Sequence, residues 1–247
     1  GIEVNSKGVL VVGFYEVESR YIGKDAGFEV GDTITEINDT KVNNIDEMVN
    51  AVNEEAANDN QLDVTIIRDG KSSDLTLDMI CDSSNVCKTG LYVKDEITGI
   101  GTLTYIDPKT TIFGALGHEI TERTTGEKFE IKDGKIFKAT VTDNTRSENG
   151  SPGEKNATYD ESVTYGKINS NEESGIFGEY TSELLNTETL EVGTKDDVKK
   201  GEATIRTVIN GNEVKEYKIN ILNVNKDSDI KNILFEITDE ELLKETG

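Results

Sequence analysis

Lys24 to Asn38 reads K-D-A-G-F-E-V-G-D-T-I-T-E-I-N, and this stretch decides the architecture of the N-terminal third. Ala26-Gly27 opens one turn, Gly31-Asp32 makes a second, and Thr33 to Ile37 alternates as a strand. Upstream, Gly8 to Val17 (G-V-L-V-V-G-F-Y-E-V) is a buried strand. Downstream, Asn44-Ile45-Asp46 is a helix start with Asp46 near the N-cap. Ile45, Met48, Val49 and Val52 then recur at helical spacing to about residue 57. Leu62 to Arg68 is a strand, Asp69-Gly70 a hairpin turn, and Ser73 to Met79 its partner, with Leu75, Leu77 and Met79 on one face.

Strand, A-G-x-x-x-G-D-x-I-x-x-I-N, helix, strand, D-G hairpin, strand resembles a PDZ domain of the bacterial protease-associated type. Such domains bind an extended peptide as an added strand, beside one sheet edge and against a helix groove. The resemblance implies a groove helix at Asp46 to Ala56, with Ile45, Met48, Val49 and Val52 facing groove or core. Gly1, Ile2, Glu3 and Val4 are similar to the end of the carboxylate-binding loop and the start of the peptide-pairing strand. On this reading the chain starts within the domain.

The 247 residues suit one large or two ordinary domains. A net charge of −23 and only 34% apolar residues raise the question of disorder. The apolar residues nonetheless fall into strands punctuated by turn signals, which argues for a folded chain. The acidic balance speaks against nucleic acid and anionic membrane as partners, because both require clustered Lys and Arg; a membrane is expected to enter only through an N-terminal segment outside these residues or a membrane-bound substrate. No apolar run reaches the length of a membrane span, and without a basic-then-apolar start no signal peptide is expected within these residues. The two cysteines, Cys81 and Cys87, form either a small disulfide loop outside the cytoplasm or two unrelated thiols.

Residues 81–90 form a polar linker. Beyond it come short strands separated by Gly, Asp and Pro turns: Leu91 to Lys94, Gly101 to Ile106, Thr111 to Leu116 and Glu127 to Ile131. An Asp133-Gly134 turn leads to a strand at Lys135 to Val141. Asp143 to Asn171 reads mostly as loop with a strand near Ser162 to Ile168, Gly175 to Tyr180 as a buried turn and Glu188 to Val192 as a strand. A hairpin around Asn210-Gly211-Asn212 joins Gly201–Ile209 to Glu213–Val224. Asn232 to Ile237 is a strand, and Asp239 to Lys244 a short helix capped by Thr238. The fold class is mainly β.

One histidine and two cysteines cannot build a zinc site of usual composition, no loop carries a calcium pattern, and no Walker loop exists, so no metal or cofactor is expected. His118 is the only histidine and so the only neutral-pH base. It follows a strand and G-A-L-G, a setting that presents the ring at a strand end; a purely structural histidine is the plainer alternative.

Gly99 to Thr121, G-I-G-T-L-T-Y-I-D-P-K-T-T-I-F-G-A-L-G-H-E-I-T, closely resembles the start of the peptidase domain of the SpoIVB serine endopeptidase family of spore-forming bacteria. G-V-L-V-V-G at 8 to 13, P-G-E-K at 152 to 155, G-I-F-G at 175 to 178, and Ile237-Thr238-Asp239 followed by L-L-K-E-T-G match the family in the same order. The resemblance implies a PDZ domain at 1–80, a linker at 81–90 and, at 91–247, a trypsin-like double β-barrel lacking its last strands. It places the catalytic histidine on His118 and the triad acid on Asp239. The family's nucleophile lies in an M-S-G-S-P motif that would follow Gly247; Ser151 is not at that position. The 247 residues alone are therefore expected to be inactive, open-edged and marginal or oligomeric.

The resemblance further implies export into the space between the two forespore membranes, self-cleavage, and cleavage of a membrane signalling complex that releases a late mother-cell sigma factor. Its partners would be protein substrates there and peptide C-termini bound by the PDZ domain. A PDZ-containing scaffold with an inactive barrel is the competing reading.

Overall fold

The computed structural model describes residues 1–56, 58–184, 188–228 and 231–247. The protein is mainly β. In chain order the elements are β1 (Ile2–Phe14), α1 (Ile22–Asp25), β2 (Thr33–Ile37), β3 (Thr40–Lys41), α2 (Ile45–Glu55), β4 (Gln61–Arg68), β5 (Lys71–Asp78), β6 (Ile80–Cys81), β7 (Cys87–Lys88), β8 (Leu91–Gly99), β9 (Leu103–Ile106), β10 (Ile112–Ala115), β11 (Ile131–Thr145), β12 (Glu154–Glu172), β13 (Gly175–Tyr180), β14 (Gly201–Thr207), β15 (Lys215–Val224), β16 (Ile233–Ile237) and α3 (Glu240–Thr246).

An 11-stranded sheet runs β5-β4-β2-β1-β11-β12-β13-β10-β9, with β3 on β2 and β8 on β1; β14-β15-β16 form a separate sheet. Among the described residues no pairing closes either sheet on itself. Two compact units result: Ile2–Ile136 with Gly166–Thr181, and Gly1 with Phe137–Tyr165 and Ser182–Gly247. β8 pairs with β1 and so belongs to the first of these units.

In the first unit Val9, Val11, Ile34, Ile37, Val64, Ile66 and Leu77 alternate inward from β1, β2, β4 and β5 and pack on Met48, Ala51 and Val52 of α2. The motif that announced this half has a physical basis. Gly27 and Gly31 take φ values of +94° and +101°, open to glycine without strain. Asp32 is buried and receives Arg68 through two contacts of 2.6 and 2.7 Å, which neutralise its charge inside the fold. Asp69 and Gly70 both have positive φ, the type I′ geometry of a two-residue hairpin. α2 is capped by Asn44, whose side chain accepts from Glu47 N–H at 2.9 Å, rather than by Asp46.

Within the polar segment 81–90, Cys81 and Cys87 form the disulfide that was one of the two alternatives, across the β6–β7 pair. Several other expectations are corrected. Glu127 to Phe129 lie outside any strand; only Thr121 and Lys128 bridge there. Asp133-Gly134 lies inside β11, because a side chain at Gly134 would stand 2.5 Å from Glu3 O of the adjoining β1. The strand near Ser162 to Ile168 is part of the 19-residue β12, which begins at Glu154; its charged, exposed first half does not read as strand in the sequence. Gly175–Tyr180 is the strand β13, not a turn. Residues 188–192 form no strand; Val192 is 91% exposed and has nothing to pack on. In the second unit Tyr217, Ile219 and Leu242 are buried beside the three-stranded sheet.

Candidate active site and peptide groove

His118 emerges from the end of β10, which is held between β9 (Gly114 opposite Tyr105) and β13 (Ala115 opposite Ile176). Tyr105 lies so close to Gly114 that an added Cβ would stand 2.5 Å from its ring. The chain then reverses sharply. Gly117 N–H donates to Ala115 O at 3.0 Å across Leu116, whose φ is +71°, and Gly117 follows at +78°. This is a γ-turn of the strained, left-handed kind. A non-glycine residue in such a conformation costs roughly 1–3 kcal/mol and persists only where its surroundings enforce it. One enforcer is Gly175 (φ +139°): a Cβ there would lie 2.4 Å from Ala115 O, so only glycine lets β13 begin against this turn.

The imidazole of His118 is exposed, and its Nδ1 lies 2.8 Å from Glu119 O. A carbonyl only accepts, so Nδ1 carries the proton and Nε2 is the basic nitrogen. The loop beyond is fixed by two buried polar groups. Asn171 of β12 accepts from Ile120 N–H at 2.8 Å and donates to Ile120 O at 2.9 Å and Phe129 O at 3.0 Å. Glu122 accepts from Thr124 and Thr125 N–H at 2.7 and 2.8 Å and from Lys94 Nζ of β8 at 3.0 Å. Burial pushes its carboxyl up, but the hydrogen bonds from Thr125, Lys94 and Thr124 together with the Lys94 charge outweigh that and hold it below the usual range.

Asp239 is the N-cap of α3. One carboxylate oxygen accepts from Glu241 and Leu242 N–H at 3.1 and 3.4 Å, and the other from Lys218 N–H at 3.3 Å. It takes the capping role expected of Thr238.

The residues assigned to peptide binding divide. Gly1 pairs with Phe137 through reciprocal backbone bonds of 2.7 and 3.0 Å. Ile2, Glu3 and Val4 are paired on both edges, to β11 (Ile136, Lys135, Gly134) and to β8 (Gly99, Thr98, Ile97). The edge expected to receive a peptide is therefore covered by the chain itself. On α2, Met48 and Val52 are core, Ile45 packs against that core, and Val49 is 48% exposed.

Sequence reading missed Lys94, Glu122 and Asn171, and it quoted Gly175 only as part of the G-I-F-G motif, with no role against the turn before His118. Glu122 had a faint signal, a turn-forming T-E-R-T-T-G around it. Asn171 had none, since nothing local separates it from the chain's many other Asn residues.

A single chain thus joins a sheet packed on the helix α2 to a strained, histidine-bearing turn. The family model described as SpoIVB peptidase S55 matches residues 85–247, and a PDZ domain model matches residues 1–79. The chain belongs to the SpoIVB peptidase S55 family. No curated protein matches it. Among solved structures, the PDZ domain of an SdrC-like protein from Listeria monocytogenes is 16% identical over 36% of this chain and 90% of its own, with a TM-score of 0.30.

Proposed function

We propose that the chain is the PDZ and histidine-bearing part of a serine endopeptidase of sporulation signalling. In it His118 is the general base, Asp239 the triad acid, and the nucleophile a serine outside the 247 residues. The observation that carries this reading is the state of His118. Its Nδ1–H is held by a carbonyl and its exposed Nε2 is the acceptor, the tautomer a base needs to take a proton from a hydroxyl. By family resemblance the substrates are the protein itself and a membrane signalling complex whose cleavage activates a late mother-cell sigma factor, in the space between the forespore membranes. The Cys81–Cys87 disulfide supports an oxidising, extracytoplasmic location.

A scaffold reading is favoured by one observation: the Asp239 carboxylate already has three backbone donors at the start of α3. Self-processing of the full-length protein, followed by gel and mass spectrometry, decides. Under the peptidase reading, His118→Ala abolishes processing, Asp239→Asn slows it by up to about 10⁴-fold, and Ser151→Ala leaves it unchanged. Processing that survives His118→Ala would sink the reading; an unaffected Asp239→Asn would remove the acid's role alone.

A further inference from the structure

We propose that β8 is an internal ligand of the PDZ groove, seated there as an added strand, and that Lys94 ties the occupancy of that groove to the loop following His118. The inference rests on the PDZ assignment and not on the identity of the peptidase's nucleophile.

The first observation is the pairing of β1. At Leu10 it bonds β2 (Thr33) on one edge and β8 (Lys94) on the other; at Ile2 to Asn5 it bonds β11 on one edge and β8 on the other. β8 thus runs antiparallel beside β1, from Phe14 opposite Leu91 to Ile2 opposite Gly99, in segments separated by register shifts between Asn5 and Leu10 and between Val11 and Gly13. A PDZ ligand adds to a sheet edge in this way, beside the groove helix.

The second observation is the helix. Asp95 of β8 accepts from the backbone N–H of Ile45, the first residue of α2, at 2.7 Å. Leu91 is buried in the core formed with Met48 and Val52, and Val93 packs against the same core as Ile45. β8 therefore supplies both parts of the recognition: main-chain bonds along the edge and alternate apolar side chains toward the helix. It lies beyond residues 1–79 matched as PDZ and within the peptidase match at 85–247. A segment of the peptidase occupies the groove of the domain before it.

The third observation is the exit. Lys94 meets the buried carboxylate of Glu122 at 3.0 Å, four residues after His118. An external peptide that displaces β8 must withdraw this ammonium and leave the Glu122 carboxylate with backbone donors only. Groove occupancy and the His118 loop are then two ends of one equilibrium. A tethered strand competes at an effective concentration in the millimolar range, so free peptide binds the intact chain weakly.

The test uses the full chain and a fluorescein-labelled synthetic peptide of residues 89–100, read by anisotropy. Val93→Ser/Asp95→Ala, which loosens β8, is expected to bind it at least about ten-fold more tightly than the parent. Saturation is expected to move the Cε1–H NMR signal of the sole histidine. Equal affinity of the two proteins, in a variant that keeps the parent's circular dichroism, overturns the proposal. A second measurement needs no variant: hydrogen exchange of the parent chain. β8 amides that exchange well before those of β2 and β4 support a displaceable strand. Equal protection makes β8 a permanent member of the sheet and overturns it. Neither readout involves proteolysis, so failure here is separable from failure of the peptidase reading.

Discussion

Replacing Asn171 by alanine tests the anchoring of the His118 loop. The amide is buried on β12 and makes three hydrogen bonds to backbone groups of Ile120 and Phe129. Ile120 O keeps a second partner, Phe129 N–H at 2.9 Å, but Ile120 N–H loses the acceptor supplied by Asn171. A net hydrogen bond contributes about 1 kcal/mol and a stranded buried donor costs about 1–3 kcal/mol, so the loss comes to about 3 kcal/mol. In a protein of this size that lowers the melting midpoint by about 6–12 °C.

Urea unfolding followed by circular dichroism measures this as a reduced midpoint with unchanged slope. Asn171→Asp sharpens the test. It keeps an acceptor for Ile120 N–H but turns the donor that faces two carbonyls into a second acceptor, and it buries a charge. The carboxyl's folded pKa is then raised, so the deficit is largest above that pKa and shrinks as pH falls through it. A loss below about 1 kcal/mol for the alanine variant, or no pH dependence for the aspartate, would refute the claim that Asn171 ties the loop down.

Gly175→Ala puts a Cβ 2.4 Å from Ala115 O at φ +139° and should cost about 3 kcal/mol; unchanged urea stability would contradict that close approach. Glu122 has a depressed folded pKa. Its contribution is therefore complete above the ordinary carboxylate range and is lost as pH falls through the folded value. Glu122→Gln should flatten the acid limb of the stability curve, and a limb identical to the parent's would exclude Glu122 as its source. Removing the disulfide by Cys81→Ser/Cys87→Ser frees a short loop of sequence separation 6. It should destabilise by about 2 kcal/mol, read from thermal midpoints with and without reductant.

How far the sequence carried the fold depends on where its information is local. Thr33–Ile37, the Asp69-Gly70 turn and the hairpin around Asn210-Gly211-Asn212 were legible because period-two alternation and positive-φ turn residues act within a few positions. β13 and the first half of β12 were not, although the stretch near Ser162 to Ile168 read as strand. The first half of β12 is charged on both faces and owes its extended state to neighbouring strands. The glycines of β13 mark close backbone approach: a Cβ at Gly178 would meet Lys167 O at 1.9 Å. Glycine reads as a turn until the neighbouring strand is seen.

By itself, the sequence determined the PDZ half, the strand character of the rest and the single base, His118, since these depend on residue type and short-range spacing. The tertiary structure decided what surrounds that base and that domain. It placed the strained turn against Gly175, drew Asn171 and Lys94 to the loop after His118, and laid β8 along the edge expected to be open for a peptide. These are pairings between residues dozens of positions apart. Their energies come from burial and backbone hydrogen bonding, which no local pattern encodes.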